Sequence, residues 1–164
     1  MGLGTLDILA RWLHIIGVLV WMGHNYANVI QTPTFKPPRL DAAADVFAAA
    51  TKREHAIFRH ASLVTLVTGL YMLWYRGMLI DTLALTGPFV ALGLGVWIGT
   101  LMVANLWLVL WPHQRIVLGY VQAPVEQRLR CSRITFLSSR TNTILSFPAL
   151  FLMIAGSHGG FLFG

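Results

Sequence analysis

The stretch RWLHIIGVLVWMGHN, residues 11–25, decides the fold class of this chain. It lies inside an apolar run from about residue 8 to residue 30, which is longer than the ~20 residues that a helix needs to cross a bilayer. The chain has 164 residues, of which 56% are hydrophobic and only 11% charged, whereas about 25% of a soluble domain is charged. The sequence therefore predicts an integral membrane protein, and the two histidines in the quoted stretch require an explanation.

Three further apolar runs follow, at about residues 56–75, 83–111 and 134–157. A Pro-rich break at 31–39 separates the first run from a helical stretch that continues into the second, and a polar linker that begins at Pro112 separates the third from the fourth. No segment shows the alternating pattern of a strand. We therefore expect an all-α fold, in which one domain over residues 1–164 forms an integral membrane four-helix bundle.

The basic residues are concentrated in two of the regions between these runs. The formal net charge is +6. Because the basic residues flank membrane helices, we interpret them as determinants of membrane topology rather than as a nucleic-acid-binding surface. Ten of the twelve basic residues lie in these two regions, and only Arg11 and Arg76 lie near the other membrane face. This distribution predicts a multi-pass protein of the inner (plasma) membrane, with both termini outside, in the periplasm of a bacterium. The residues on the inner side are Lys36, Arg39, Lys52, Arg53, Arg59, Arg115, Arg128, Arg130, Arg133 and Arg140.

Four histidines, all predicted metal ligands, fall into two layers of membrane depth. Ionisable side chains inside a membrane are costly and therefore indicate function. At a rise of about 1.5 Å per residue, His24 lies ~15 Å deeper than His14, so one iron atom cannot take axial ligands from both. His60 lies close to the depth of His24, and His158, at the outer boundary, lies nearest to His14. Gly17 shares one arc of the first helix with His14 and is a candidate cofactor contact.

Imidazoles on facing helices inside a bundle are typical ligands of haem iron, and haem b needs no covalent attachment. The two layers predict haem b, one or two per chain, with pairs of histidines as axial ligands. Guanidinium groups pair with propionates, which makes Arg59 and Arg140 candidates on the inner side and Arg11 on the outer side. Alternatively, Arg140 snorkels to the headgroups, and each histidine only forms a hydrogen bond between helices.

Small residues occupy Ala91, Gly95 and Gly99 in the third run. This spacing lets helices approach closely, either within the chain, between two copies of it, or around a flat ligand. Zinc and copper are less favoured than haem, because Cys131 is the only cysteine and the sequence has no H-E-x-x-H motif.

Three stretches on the first, third and fourth runs carry a pattern of polar and proline residues as well as apolar ones. They are RWLHIIGVLVWMG (11–23), IGTLMVANLWLVLWPHQRIV (98–117) and SSRTNTILSFPALFLMIAGSH (138–158). These stretches resemble the opening, the Pro-x-Gln-Arg segment and the last helix of the membrane domain of bacterial membrane-bound urate oxidase (urate hydroxylase). The resemblance implies functional roles for His14 and His158 and adds Asn142 as a candidate cofactor contact.

The chain also departs from that family's usual pattern. The usual members have more membrane helices and end in a periplasmic cytochrome c domain, whereas this sequence has no C-x-x-C-H motif. His113 stands where the family more often has asparagine. We therefore expect a compact, stand-alone version of the membrane domain. The resemblance implies a haem-linked membrane redox protein more firmly than it implies urate chemistry.

Three functions stay open on the sequence alone. The favoured one is a b-type haem protein that relays electrons across or within the membrane, as a homodimer, with quinol and a periplasmic cytochrome c as partners. The second is a membrane oxidase that acts on urate or a similar heterocycle. The third is a haem-free accessory or transport subunit that uses the polar arc of the first helix for packing or ions.

Overall fold

The fold is entirely helical in the part of the chain that the structure describes. This computed structural model describes residues 3–37 and 45–157, and the side chains of residues 4–37 and 54–157. A 3₁₀ turn, Gly87–Phe89, precedes α4, and a π-helical segment, Asn105–Leu110, joins α4 to α5. These described ranges contain no strand, so the predicted all-α class is confirmed. The α-helices are α1 Leu3–Gln31, α2 Asp45–Tyr75, α3 Leu79–Leu83, α4 Val90–Ala104, α5 Trp111–Val117 and α6 Val125–Ser157.

Helices α1 and α2 form a closely packed antiparallel pair. Gly17 is buried in their contact, since a Cβ atom added there would lie 2.5 Å from Thr65 Oγ1. The Arg76 guanidinium forms a salt bridge with Asp7 at one end of the pair, at 3.0 Å. The close approach therefore depends on the absence of a side chain at Gly17.

The segment from α4 to α5 packs antiparallel against α6 through the small residues of the third apolar run. A Cβ atom on Gly95 would lie 2.9 Å from Met153 Cγ and 3.3 Å from the Ala149 carbonyl oxygen. A Cβ atom on Gly99 would meet Met153 Cε at 3.4 Å. The sequence leaves open three roles for the small residues of this run: packing within the chain, contact between two copies, or room for a flat ligand. The structure shows packing within the chain.

The third long helix ends later than the sequence predicts. Pro112 is expected to end it, but α5 continues to Val117. Proline in a helix lacks an N–H donor, and its ring clashes with the carbonyl four residues earlier. The π-helical segment directly before Pro112 is wound more loosely than an α-helix, which accommodates the ring.

Helix α6 buries small polar residues and exposes large apolar ones along its second half. Three segments of the described chain are long and apolar enough to cross a membrane: Gly4–Gln31, Glu54–Tyr75 and Gly87–Val117. Helix α6 is not among them, because serines, threonines and Asn142 make up most of its buried face. Its outer face carries the exposed side chains of Ile144, Phe147, Phe151 and Ile154, which suits contact with lipid. The fourth crossing and the outside position of both termini stay predictions.

Candidate functional site

A polar cavity of about 210 Å³ lies where α1 ends and where α2 and α6 begin. Lys36 and Arg140 line it, and within the described part of the chain the nearest acidic partner of a lining residue is Glu54, which contacts His24. The cavity therefore combines positive charge, hydrogen-bonding groups and aromatic faces. Its lining residues are His24, Asn28, Thr32, Thr34, Phe35, Lys36, His55, Phe58, Leu110, Gln114, Ser132, Thr135, Phe136, Ser139 and Arg140.

His24 is held in the cavity wall by contacts to α2. Its Nδ1 atom lies 2.9 Å from Glu54 Oε1. Its ring stacks on Phe58, with centroids 4.1 Å apart and an angle of 8° between the planes, and the His55 ring meets it edge-on at 5.5 Å. A carboxylate beside Nδ1 fixes the ring orientation and favours the tautomer whose Nε2 accepts a proton. This pair has the composition of a general base with its orienting group.

Arg140 joins α6 to the segment after α1. One of its nitrogens, Nη2, donates a hydrogen bond to the Thr32 carbonyl oxygen, and its guanidinium lies 4.6 Å from the centre of the Phe136 ring. The Nη1 atom is buried and has no hydrogen-bond partner among the described residues. A buried donor on a cation without a partner is costly, so this group is well suited to bind an anionic or carbonyl oxygen in the cavity.

His14 lies in the contact between α1 and α2, away from the cavity. Its Nδ1 atom lies 2.8 Å from the Thr65 carbonyl oxygen, and Gly69 leaves room for the ring, because a Cβ atom there would come within 2.9 Å of His14 Cε1. Gly17 contacts Thr65 one turn further along α1. In this arrangement Gly17 is a packing residue. The hydrogen bond to Thr65 uses His14 Nδ1, which leaves Nε2 as the nitrogen that could bind a ligand.

The other predicted site residues are dispersed. His60 is exposed, with Nδ1 2.7 Å from the Ala56 carbonyl oxygen, and Arg59 stacks on Trp111 at 3.5 Å. Arg11 is exposed at the far end and lies 3.7 Å from Asp7. His158 lies outside the described residues.

Asn142 lies in a hydrogen-bond network between helices rather than in the cavity. Its Nδ2 atom donates to the Met102 carbonyl oxygen at 3.1 Å, and its Oδ1 accepts from Asn105 Nδ2 at 2.8 Å. Ser138 Oγ donates to Asn105 Oδ1 at 3.0 Å. Both ends of the Asn142 amide are therefore used to hold α6 to the end of α4.

The inner pair of predicted haem ligands does not fit a haem in this packing. His24 is bound to Glu54 and stacked on Phe58, whereas His60 does not line the cavity. The cavity of about 210 Å³ is also below the ~300–1,000 Å³ of pockets that enclose drug-sized ligands. Among the described residues, no group of three His, Cys, Asp or Glu could hold a metal ion.

The outer pair of predicted haem ligands, His14 and His158, fits a haem in part. A backbone carbonyl on Nδ1, as His14 has from Thr65, is the arrangement that orients a histidine to bind iron through Nε2. Its predicted partner, His158, lies outside the described residues. Haem b therefore stays a prediction, and His14 is the residue that supports it.

Sequence reasoning missed most of the cavity. The sequence patterns do not single out Glu54, His55, Phe58 or Gln114. A signal for Glu54 does exist, because it lies at the start of the second span, near the depth of His24. Such depth matching identifies a set of candidates, but it does not show which helix faces meet.

A family model described as "Urate oxidase N-terminal" matches residues 45–164. The match covers α2 to α6 and leaves out α1, which supplies His24 and Asn28 to the cavity. No curated protein and no solved structure matches the chain. The matched region is well over half of the 164 residues, so this chain belongs to the urate oxidase N-terminal family.

Proposed function

We propose that this membrane domain binds urate or a similar planar heterocycle in the cavity at its basic end and oxidises it. The observation that carries the proposal is the His24–Glu54 pair in the wall of a polar cavity that Lys36 and Arg140 line. The family match agrees with this substrate class. The electron-relay function that the sequence favours is therefore the second candidate.

The lining chemistry matches the edges and faces of such a ring. Arg140 and Lys36 provide positive charge for the oxygens of an anionic heterocycle, and the Gln114 amide both donates and accepts hydrogen bonds. The Phe58 ring, already stacked on His24, gives the cavity an aromatic surface. Two cations in the cavity wall favour an anion over a neutral molecule of the same shape.

The oxidation needs a base and an electron acceptor. When the heterocycle loses two electrons and two protons, His24 Nε2 takes up a proton from a ring N–H, and Glu54 stabilises the resulting imidazolium. His24 then passes this proton on and returns to its neutral form, and a quinone in the bilayer accepts both electrons and two protons and leaves as quinol. Two molecules of a periplasmic cytochrome c, each taking one electron, are the alternative acceptor, and both protons are then released to solvent.

A paired set of variants tests substrate binding. We expect purified protein in detergent to bind urate, and Arg140→Ala to weaken that binding about tenfold or more, because a hydrogen bond to a charged group contributes ~1.5–3 kcal/mol. Arg133→Ala is the matched control, since Arg133 is exposed on the same helix and does not line the cavity. Equilibrium dialysis gives the two dissociation constants. Wild-type protein that binds neither urate nor another oxidised purine contradicts the proposal.

The base is tested by turnover. With a soluble quinone as acceptor, His24→Gln is expected to lower kcat roughly 10²-fold or more with a smaller change in KM, whereas His60→Gln keeps the wild-type rate because His60 is exposed outside the cavity. The loss of urate absorbance measures the rate. Equal rates for His24→Gln and wild type would remove His24 from the reaction.

The second candidate function, a haem b relay between quinol and cytochrome c, is supported by the orientation of His14 by the Thr65 carbonyl. Haem b would supply one-electron transfer, and His14 would hold it near the outer face. A reduced-minus-oxidised absorption spectrum tests this, and His14→Ala is expected to remove the haem bands. A colourless protein rules out the relay, and a colourless protein that also binds no purine favours the accessory-subunit function.

A further inference from the structure

Arg59, on α2, lies in an aromatic corner and does not line the cavity. Its guanidinium carbon lies 3.5 Å from the centre of the Trp111 ring and 5.3 Å from that of Trp107. The Tyr120 ring meets Trp111 edge-on at 5.9 Å. The Arg59 Nε and Nη1 atoms are buried and have no hydrogen-bond partner among the described residues. The aromatic rings therefore hold the cation in place without neutralising its charge.

The charges around Arg59 add to this positive potential. Arg115 is a neighbouring cation. In the described ranges, the acidic side chains that form salt bridges do so elsewhere: Asp7 with Arg11 and Arg76, Glu54 with His24, and Glu126 with Arg130. Arg59 and Arg115 form no salt bridge among the described residues, and neighbouring cations of this kind attract an anion, most strongly where water is scarce.

The corner lies at the boundary of the membrane segments. Arg59 is little more than one turn inside the span Glu54–Tyr75, and Arg115 is in the last turn of the span Gly87–Val117. Tryptophan and tyrosine are enriched at this level of a membrane, where lipid headgroups begin. At this level the anions that the bilayer itself provides are lipid headgroups, so an anion that reaches Arg59 from the bilayer is a headgroup.

We propose that Arg59 and Arg115, framed by Trp111, bind the phosphate of an anionic phospholipid headgroup. Basic sites between membrane helices recognise such lipids by charge and by hydrogen bonds to phosphate oxygens. None of these residues lines the cavity, so the lipid site is independent of the proposed heterocycle site. Inorganic phosphate and a haem propionate share the same oxygen chemistry, and the experiment below separates these sources.

Native mass spectrometry of the detergent-purified protein, with phosphatidylglycerol or phosphatidylcholine added, measures the selectivity. Wild type is expected to bind phosphatidylglycerol about tenfold more tightly than phosphatidylcholine. Arg59→Gln is expected to lose this preference, and the exposed control Arg133→Gln is expected to keep it. Arg59→Lys, which retains the charge, keeps part of it. Thermal unfolding of each variant confirms that the fold is intact.

Equal affinity of wild type for the two lipids, or equal losses in Arg59→Gln and Arg133→Gln, overturns the proposal. Inorganic phosphate that displaces phosphatidylglycerol at micromolar concentration assigns the site to a soluble phosphate and overturns the lipid source, whereas no displacement supports it. A haem absorption band that is present in wild type and lost in Arg59→Gln assigns the site to a propionate and also overturns it.

Discussion

At the scale of single residues, the three predicted metal ligands that the structure describes are each fixed through Nδ1. The acceptor is the Thr65 carbonyl for His14 at 2.8 Å, the Ala56 carbonyl for His60 at 2.7 Å and the Glu54 carboxylate for His24 at 2.9 Å. A carbonyl oxygen can only accept, so Nδ1 carries the proton in His14 and His60, and Nε2 is the free acceptor. Only His24 combines this arrangement with a charged partner and a cavity.

Gly17 shows how a residue can be predicted at the right place with a different role. It shares the helical arc of His14, which made it a candidate cofactor contact, but Thr65 fills the space next to it. We expect Gly17→Ala to lower the free energy of unfolding by about 1–3 kcal/mol, because the added methyl group overpacks the contact between α1 and α2.

The control for Gly17→Ala lies on the same helix. Gly23→Ala meets nothing within 4 Å and is expected to stabilise the helix by ~0.5–1 kcal/mol. Unfolding of both variants in mixed detergent micelles gives the comparison. Equal effects of the two substitutions would show that Gly17 is not in a close helix contact.

At the scale of helices, the junction of α4 with the π-helical segment is held to α6 by side-chain amides. Asn105 is the first residue of the π-helical segment and exchanges hydrogen bonds with Ser138 and Asn142. Unpaired polar groups are costly in a bilayer, so these partners allow α6 to carry a polar face. The same feature excludes α6 from the segments that hydropathy alone identifies as crossings.

A double-mutant cycle measures this junction. We expect Asn105→Leu and Asn142→Leu to be coupled by roughly 0.6–1.7 kcal/mol, the range for hydrogen bonds between membrane helices. Asn105→Leu paired with Thr141→Val, at an exposed position on α6, is expected to show no coupling. Additive effects of the two asparagine substitutions would contradict the observed network.

At the scale of the whole molecule, the cavity and the basic residues share one end of the bundle. Lys36 and Arg140 line the cavity, and Arg115 in α5 and Arg128 at the start of α6 belong to the same end. Under the positive-inside rule this end faces the cytoplasm. The proposed substrate then enters from the cytoplasm, and a periplasmic electron acceptor lies on the opposite side of the membrane.

Cysteine labelling tests this orientation, and the single native thiol, Cys131, gives little background because it is buried. We expect Ala84→Cys, in the connection between the second and third spans, to react with an impermeant maleimide in intact cells. Gln122→Cys, in the loop between α5 and α6, is expected to react only after lysis. Both positions are exposed. The reverse pattern would place the cavity on the outside.

Sequence patterns predicted positions along each helix better than contacts between helices. The prediction that His24 and Arg140 lie at the same end of the bundle follows from residue counts along each helix, and both line one cavity. The pairing of His24 with Glu54, and the contributions of Phe58 and Gln114, depend on how each helix is rotated about its axis. A shift of one residue turns a side chain by about 100°, so small errors in rotation change every partner.

Hydropathy and charge are properties of single segments, so they were sufficient to predict that this protein is all-α, that it belongs in a membrane and that one end is basic. The tertiary structure alone decided that Gly17 packs against Thr65, that Asn142 binds Asn105 and that His24 meets Glu54 at a cavity. These outcomes depend on which helix faces meet, and that choice is made by the packing of the whole bundle.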